Sequence, residues 1–519
     1  MLQLPDACML AVMRCCADDQ HSVFSAARAH SRLHQVAMLA LSSISVVLEQ
    51  QEQADSVLQY LAQHDQNVSS INLSMTYPYA CETPTSTGPA SPTVTLRELP
   101  HVMQGLHNIT FDRLHLQLQP GSGFQGVVRP GTPVKRLQLN RCRLIDGEES
   151  LAAALSLLQG LQHLSCDCIN SIGSESFAFR FPVDALQNLQ QLTYLELPGG
   201  ELQGQDGMQH LQGLTNLQDL RLCRYSSNGC TMTTSMLSGA HHLTRLELDN
   251  VSIEPGILSG KTRLQHLELA APGTMGCDIA GGSDGVQELL GHLQAMQQLT
   301  RLNLGRSLKA TAPAAAYSAL TASSKLQHLD LCDSRLPAGV WQHIFPTSKQ
   351  LLNLLYLDIS DILQTDGPAA APECSRLVSC CPELQSLHMC GLQYSTELLA
   401  PLTGLGSLSE LSMCPAGEST DGLEVVCQLK GPRQLFLSVQ GLNPLDGNGL
   451  LAELTQLQEL ACLNFISANS VQGWHCEVSL NIGLLAPFFI KRLKGSAALT
   501  MSRSPRNVDR SRSARLSPS

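Results

Sequence analysis

The sequence predicts an α/β fold in which many short parallel strands stack side by side and form a coil of similar turns. Three observations predict this fold. The tetrapeptide Leu-Gln-His-Leu occurs at 161–164, 264–267 and 326–329, apolar residues spaced as L-x-x-L-x-L return along most of the chain, and helical periodicity fills at least one intervening segment. The chain has 519 residues, of which 43% are hydrophobic and only 4% aromatic, so we expect a large aliphatic core made of many small layers.

The frame L-x-x-L-x-L defines the repeat. From 111 to 457 its starts lie 21 to 35 residues apart. Positions four and six alternate with outward neighbours, as a short strand requires, and we expect their side chains to point into the core. One turn cannot bury its own apolar edge, so each turn has to stack on the next. The frame starts are Val68, Phe111, Val134, Leu161, Leu192, Leu217, Leu243, Leu264, Leu299, Leu326, Leu354, Leu384, Leu408, Pro432 and Leu457.

Asp-Gly pairs follow several of the predicted strands. We expect the Asp to cap a helix N-terminus and the Gly to permit a sharp entry. The segment 285–299 (GVQELLGHLQAMQQL) places apolar residues at helical spacing, so the return arm is predicted to be partly helical. The pairs begin at Asp146, Asp206, Asp284, Asp366, Asp421 and Asp446.

These repeats resemble leucine-rich repeats, whose periods are 20 to 29 residues. The resemblance implies a right-handed α/β solenoid, or horseshoe, with a parallel sheet on the concave face. The family consensus continues x-x-N/C-x-L, which VKRLQLNRCRL satisfies with Cys142 and Leu144. Elsewhere the ninth position is mostly apolar, Gly or Ser, so we expect the polar ladder between turns to be largely missing. The residues at this position include Gly200, Val251, Ser307, Ser334 and Ile362.

The N-terminus has helical periods instead of strand patterns. Residues 1–40 resemble an F-box, a three-helix module that binds a Skp-type adaptor in cullin ubiquitin ligases, although Ala29-His30 replaces the usual Val-Cys pair. An alternative is a helical cap that shields the first repeat. The resemblance implies that the adaptor is contacted by Leu4, Pro5, Leu10, Val12, Phe24, Leu33 and Val36.

The predicted organisation has four parts. The F-box-like module at 1–40 is followed by a linking helix or cap at 41–66. A solenoid of about 15 repeats is expected at 67–492, with a Pro/Ser/Thr-rich loop at 76–93. The basic Ser/Arg-rich tail at 493–519 is expected to be disordered.

Several classes of function are disfavoured. The net charge is −11, and residues before Lys491 carry −18, which argues against nucleic-acid binding. The start lacks a basic signal region, the 19 Cys show no disulfide pattern, and the apolar stretch Leu480–Ile490 is short for a membrane span. We therefore expect an intracellular protein, in the cytoplasm, the nucleus, the cytoskeleton or a ciliary axoneme.

No chemistry-bearing motif is present. We find no phosphate-binding loop, nucleophile elbow or zinc-protease pattern, and we expect no enzyme and no cofactor. His163, Cys166 and Cys168 lie close in sequence, but Cys166 occupies an inward frame position and is expected to be a core residue rather than a metal ligand.

The repeat instead predicts an ordered polar surface, because frame positions three and five point away from the core. In neighbouring strands about 4.8 Å apart they form two parallel columns, which we expect to bind a protein partner. The predicted partner-binding residues are Arg136, His163, Tyr194, Glu196, Arg221, Arg245, Glu247, His266, Glu268, Arg301, His328, Asp330, Tyr356 and Asp358.

Taken together, the two resemblances imply the substrate-recognition subunit of a Skp-cullin-F-box ubiquitin ligase. Such a subunit would work as one copy within a larger complex and would hold an adaptor and a target protein. The alternative is a non-enzymatic leucine-rich-repeat scaffold of the cytoplasm or cytoskeleton with no ligase link.

Overall fold

The structure is a computed structural model. The seven expected adaptor-binding residues, the loop at 76–93 and the tail at 493–519 lie outside its described residues. The described residues are 9, 42–63, 68–75, 94–97, 99, 105–118, 133–145, 148–167, 170–171, 180–197, 201–202, 208–223, 231–270, 276–364, 367–368, 374–392, 396–413, 429, 434–440, 462–469 and 474–481.

The chain divides into two compact units. The first contains Met1–Ala369 and Ser379–Cys381, and the second contains Ala370–Val378 and Pro382–Ser519. We call them the N-terminal unit and the C-terminal unit.

The main sheet of the N-terminal unit follows the repeat. In the described part twelve strands pair in parallel and in chain order. Leu329, which is fully buried, lies between Leu302 and Leu357 of the neighbouring strands, as the stacked frame requires. The strands are β1 (Ser43–Leu48), β2 (Ser70–Met75), β3 (Asn108–Asp112), β4 (Arg136–Asn140), β5 (His163–Asp167), β6 (Tyr194–Glu196), β7 (Asp219–Cys223), β8 (Arg245–Asp249), β9 (His266–Glu268), β10 (Arg301–Asn303), β11 (His328–Asp330) and β12 (Tyr356–Asp358).

Short two-residue strands follow many of the main strands and form smaller sheets. The four strands of one such sheet are Thr95–Leu96, His115–Leu116, Arg143–Leu144 and Asn170–Ser171. The others are the trio Thr231–Met232, Ser252–Ile253 and Asp278–Ile279, the parallel pair Arg180–Phe181 and Glu201–Leu202, and the antiparallel pair Leu363–Gln364 and Gly367–Pro368.

The return arms of the N-terminal unit are short helices, as the sequence predicts. The α-helices are α1 (Gln51–Gln63), α2 (Glu148–Ser156), α3 (Gly282–Gln294) and α4 (Trp341–Ile344). The 3-10 helices are Val183–Asn188, Met208–Gly213, Thr234–Leu237, Pro255–Leu258 and Ala314–Thr321. An apolar stripe on α3 is buried, and it consists of Val286, Leu289, Leu290 and Leu293.

The expected Asp-Gly cap is wrong for α3. Asp284 lies in the first turn of the helix, and Gly281, with φ 87°, occupies the N-cap without a side-chain hydrogen bond. Gly285 has a different role, because a Cβ atom there would lie 1.9 Å from the carbonyl oxygen of Ala280. The glycine therefore permits a close backbone approach inside the first turn.

The C-terminal unit repeats the same pattern. It contains α6 (Thr396–Leu399), the 3-10 helix Ala400–Gly404 and most of α5 (Cys374–Cys380). Its strands β13 to β16 pair in parallel, and β17 pairs antiparallel with β16. They are β13 (Ser386–His388), β14 (Glu410–Met413), β15 (Gln434–Gln440), β16 (Cys462–Asn469) and β17 (Trp474–Asn481).

Two predicted frames have the wrong register. Ile109 and Phe111 are the buried residues of β3, so this frame starts at Leu106 and not at Phe111. In β16, Leu463 pairs with Leu435 of β15, so the last frame starts at Leu460 and not at Leu457. Strand β1, which pairs with β2, precedes the first predicted frame.

A polar ladder joins several turns, although the sequence predicted it to be largely missing. The side chains of Cys142, Cys277 and Ser307 each donate to a carbonyl of the preceding turn. These carbonyls belong to Phe111 at 3.3 Å, Leu248 at 3.2 Å and Leu269 at 2.8 Å, and each occupies position six of its frame. Cys277 was missed because an insertion displaces it from the ninth position.

Left-handed backbone recurs at frame position eight. Six non-glycine residues at this position have φ angles between 52° and 60°. At four of these residues the backbone N–H donates to a carbonyl of the next turn, so the sharp bend satisfies polar groups at the ends of those four strands. The left-handed residues are Arg113, Arg141, Asn250, Arg306, Asp333 and Asp361.

Strand register, inward leucines and the ladder together define a leucine-rich-repeat solenoid. Among the described residues no helix combines the length and the apolarity that crossing a bilayer needs.

Candidate functional site

The two predicted columns of polar side chains are in register along the main sheet of the N-terminal unit. From β4 to β12 every residue at frame position three pairs with its counterpart, and the same holds at position five. We call this side of the sheet the polar face. It contains the fourteen predicted partner-binding residues together with Gln138, Ser165, Asp219 and Asn303.

Ion pairs occupy the centre of the polar face. Arg221 donates two hydrogen bonds to Asp219, each 3.1 Å long, and its Nε lies 3.5 Å from Glu247. Arg245 contacts the other carboxylate oxygen of Glu247, with a hydrogen bond of 2.7 Å from its Nε. Arginine forks matched to carboxylates in this way fix both partners.

His266 extends this network across β9. Its Nε2 lies 3.1 Å from Glu247 and 3.3 Å from Glu268, and Arg301 lies 3.6 Å from Glu268. Because two negatively charged carboxylates face Nε2, the imidazolium form is favoured. The carboxylates of β8 and β9 are therefore already neutralised by side chains of the same face.

Titration of the central groups follows from these contacts. Burial alone would raise the pKa of Glu247, but hydrogen bonds from His266 and Arg245 and nearby charges outweigh it and lower the pKa to about 2. For His266, burial lowers the pKa, and the hydrogen bonds to Glu247 and Glu268 outweigh this effect and raise it. Glu247 is therefore ionised near neutral pH, and the contacts of His266 favour its protonated form.

One end of the polar face carries a stacked aromatic pair. The rings of His163 and Tyr194 lie 3.8 Å apart at 11°, and the guanidinium of Arg221 lies 5.1 Å from the centre of the tyrosine ring. The Tyr194 hydroxyl donates to Glu196 at 2.8 Å, and so does the hydroxyl of Ser165. Tyr194 is thus held rigid while it stays half-buried.

Arg136 lies beside this pair on β4 and is exposed. Burial, followed by the positive charge of Arg136, lowers the pKa of His163 to about 4. His163 is therefore neutral near pH 7, and Arg136 supplies the positive charge of this end. No carboxylate contacts Arg136 within the described part of the chain.

The other end of the polar face has a second stacked histidine–tyrosine pair. The rings of His328 and Tyr356 lie 3.9 Å apart at 5°. Beside them, one carboxylate oxygen of Asp330 accepts the N–H of Cys332 at 2.9 Å, and Asp358 accepts the N–H of Ser360 at 2.9 Å. Burial and the neighbouring Asp358 raise the pKa of Asp330, as expected for adjacent carboxylates without a cation between them.

Two groups offer potential metal ligands within 4.8 Å of one another. The first is Glu247, His266 and Glu268, and the second is Asp330, Cys332 and Asp358. The first group is already paired with arginines. In the second, burial and the two aspartates raise the pKa of the Cys332 thiol, which disfavours the thiolate that a metal requires.

The sequence predicted which residues form the two columns, but it did not predict the hydrogen bonds and ion pairs between their side chains. Asp219 was absent from the predicted set, yet it orients Arg221, and Asn303 repeats the turn contact of Asp330 by accepting the N–H of Gly305 at 2.9 Å. Their positions three and five in the frame were the available signal. Cys166 is buried at its inward position, as expected for a core residue.

Comparisons with known proteins find solved structures only. No family model matches the chain, and no curated protein matches it. An internalin from Listeria monocytogenes shares 16% identity over 73% of this chain and 86% of its own, with a TM-score of 0.44. TLR13 in complex with ssRNA13 shares 16% identity over 84% of this chain and 60% of its own, with a TM-score of 0.47. PEPR1 with AtPEP1 shares 15% identity over 83% of this chain and 65% of its own, with a TM-score of 0.39. The chain thus spans less than two thirds of the latter two proteins.

Proposed function

We propose that this protein is a non-catalytic recognition subunit whose polar face binds a protein partner. The observation that carries the proposal is the unbroken register of positions three and five from β4 to β12, which assembles tyrosine, arginine, histidine and carboxylate side chains on one surface. Tyrosine and arginine are the side chains that most often dominate interface energetics.

Rigidity favours this proposal over a merely solvated face. Tyr194 is fixed by a ring stack and a hydrogen bond to Glu196, and Arg221 is held by a bidentate contact with Asp219. Side chains that are ordered before binding lose less conformational entropy in a complex. A half-buried, pre-organised surface therefore suits recognition.

In the finer form of the proposal, the protein is the substrate-recognition subunit of a Skp-cullin-F-box ubiquitin ligase. Support comes from the F-box resemblance at 1–40 and from the first repeat strand β1, which begins at Ser43, after those residues in the sequence. The gain in such a complex is proximity, because a target held near the transferring enzyme has a raised effective concentration.

Adaptor binding tests this finer form. Purified full-length protein is mixed with a Skp-type adaptor, and the complex is measured by size-exclusion chromatography and calorimetry. We expect Phe24→Asp to abolish the complex and Arg143→Asp, an exposed change far along the chain, to leave it intact. If the full-length protein binds no adaptor, the ligase role is wrong and the scaffold alternative remains.

Partner capture tests the coarser form independently. Photo-crosslinking in native cells is compared for the wild type, the double variant Tyr194→Ala/Tyr356→Ala and the control Arg143→Ala. We expect the double variant to lose a defined set of cross-linked proteins that the control retains, with circular dichroism showing equal folding. Identical cross-linked sets for all three proteins would contradict a binding role for the polar face.

A further inference from the structure

The centre of the polar face shows how this sheet binds a guanidinium group. Arg221 donates two hydrogen bonds of 3.1 Å to Asp219 on its own strand, β7, and its Nε lies 3.5 Å from Glu247 on β8. The same guanidinium lies 5.1 Å from the centre of the Tyr194 ring on β6, which is stacked on His163 at 3.8 Å. This surface therefore already holds one guanidinium between two carboxylates and beside a histidine–tyrosine pair.

A similar set of groups occurs on β11 and β12. His328 and Tyr356 form the second stacked pair, and Asp330 and Asp358 lie at position five of the same two strands. One carboxylate oxygen of each aspartate lies within 4.8 Å of the other, close enough for one guanidinium to donate to both. Each aspartate accepts the backbone N–H two residues further on, and neither forms an ion pair with a cation of the described residues.

The other charges around Asp330 and Asp358 balance one another and leave these two carboxylates unneutralised. They are the ion pairs Arg301–Glu268 and Arg306–Asp333, each with an Nε–carboxylate distance of 3.6 Å, and the exposed side chains of Arg335 and Asp361. Burial and the negative charge of Asp358 raise the pKa of Asp330, as expected where two carboxylates are close together without a cation between them. A cation from a partner would remove this repulsion.

We propose that Asp330 and Asp358, together with the ring of Tyr356, bind an arginine side chain of the partner protein. This inference rests on the proposed function and names the partner residue that the polar face recognises. Arginine fits better than lysine, because its planar fork can donate to two carboxylates at once and can lie against an aromatic ring. All three side chains are half-buried, where the attraction between opposite charges is stronger than on a fully exposed surface.

Selection of random peptides tests the inference and does not require the partner to be identified. A displayed library of linear peptides is selected on immobilised full-length protein at physiological salt, where long-range attraction is screened. We expect the enriched peptides to share an arginine, and its replacement by citrulline, which is neutral and nearly isosteric, to weaken binding about tenfold. Absence of enrichment, or equal binding of the citrulline peptides, would overturn the inference.

Asparagine variants then assign the arginine to this site. Asp330→Asn/Asp358→Asn removes both charges but keeps an oxygen for the turn contacts, as Asn303 already does with Gly305 in the same frame position. We expect the selected peptides to bind this double variant about tenfold more weakly, with unchanged thermal stability of the protein. Arginine peptides that bind the double variant as tightly as the wild type contradict the inference.

A control variant separates the local effect from the net charge of the chain. Asp278→Asn/Glu288→Gln removes two exposed carboxylates outside the polar face and should leave peptide affinity unchanged. Partner capture in cells distinguishes this inference from the proposed function. Cross-linked proteins that are lost from Tyr194→Ala/Tyr356→Ala but retained by Asp330→Asn/Asp358→Asn would support the binding role of the polar face and contradict the arginine site.

Discussion

Single residues at equivalent frame positions behave differently because their neighbours differ. His163 and His266 share position three, yet burial and Arg136 lower the pKa of the first, whereas hydrogen bonds to Glu247 and Glu268 overcome burial and raise the pKa of the second. The frame fixes where a side chain points. Its charge state depends on which residues the adjacent turns contribute.

This contrast predicts opposite pH effects on stability. His163, with a pKa lowered from 6.5 to about 4, favours the folded state above pH 6.5 and loses this contribution as the pH falls toward 4. His266, with a raised pKa, favours the folded state below pH 6.5 and loses its contribution as the pH rises through the raised value. The free energy of unfolding of His163→Gln and His266→Gln, measured from pH 4 to 9, should differ from the wild type with opposite slopes.

The two imidazoles can also be followed directly. In NMR titrations of the wild type, the ring protons of His266 should shift above pH 6.5 and those of His163 near pH 4. Equal midpoints for the two rings would contradict the contact network described for the polar face.

Ser307 and Ser334, which both occupy frame position nine, provide a second comparison between equivalent residues. Ser307 donates to the Leu269 carbonyl at 2.8 Å and accepts the Cys277 N–H at 3.1 Å, whereas the fully buried hydroxyl of Ser334 has no hydrogen-bond partner among the described residues. We expect Ser307→Ala to lower the free energy of unfolding by about 1 to 2 kcal/mol. Ser334→Ala should be neutral or stabilising, because it removes an unsatisfied polar group. Urea unfolding checks both, and equal losses would show that the ladder bond contributes nothing specific.

At the scale of single elements, the sequence predicted the strands better than their exact register. In the family consensus, a step of three residues followed by a step of two occurs twice between conserved positions. Phe111, Leu114 and Leu116 therefore match the frame as well as Leu106, Ile109 and Phe111 do. All five residues are buried, and burial cannot separate the two choices. Only the backbone pairing decides, by placing Ile109 opposite Ile71 of β2.

For the return arms and the polar face, too, the sequence pattern predicted the element but not its exact geometry. The apolar periodicity of α3 was sufficient to predict a helix, but its start at Gly282 depends on left-handed backbone at Gly281 that no side-chain pattern reveals. For the face, alternation predicted which residues point outward. It could not predict that Arg221 pairs with Asp219 of its own strand, because that choice depends on side-chain rotamers.

Gly276 and Gly160, which lie in different turns, form a matched pair. Gly276 has φ 69°, and a Cβ atom there would lie 2.8 Å from backbone atoms of Arg306, whereas a Cβ atom at Gly160 would meet nothing within 4 Å. We expect Gly276→Ala to lower the free energy of unfolding by about 2 kcal/mol or more, from left-handed strain and the clash. Gly160→Ala should change it by less than about 0.5 kcal/mol. Thermal unfolding distinguishes the two, and a tolerated Gly276→Ala would mean that this turn can relax.

At the scale of the whole molecule, the stacking within each unit is close to one-dimensional. Each main strand of the N-terminal unit from β2 to β11 pairs with its two neighbours in the stack, so local damage should spread only to adjacent turns. This architecture also explains why repetition was the strongest signal in the sequence, because every turn buries aliphatic side chains at the same positions against its neighbours.

A cavity in one turn tests how far neighbouring turns are coupled. Leu329 is fully buried between Leu302 and Leu357, and Leu329→Ala removes about 2 to 5 kcal/mol of packing and transfer free energy. We expect hydrogen exchange measured by mass spectrometry to accelerate in β10, β11 and β12 and to stay unchanged in β3. The control Leu352→Ala alters an exposed leucine, 54% accessible, close to β12 and should leave exchange unaltered. Uniform acceleration across the N-terminal unit would instead show that the turns unfold as one cooperative block, and nearest-neighbour coupling would then be the wrong description of this solenoid.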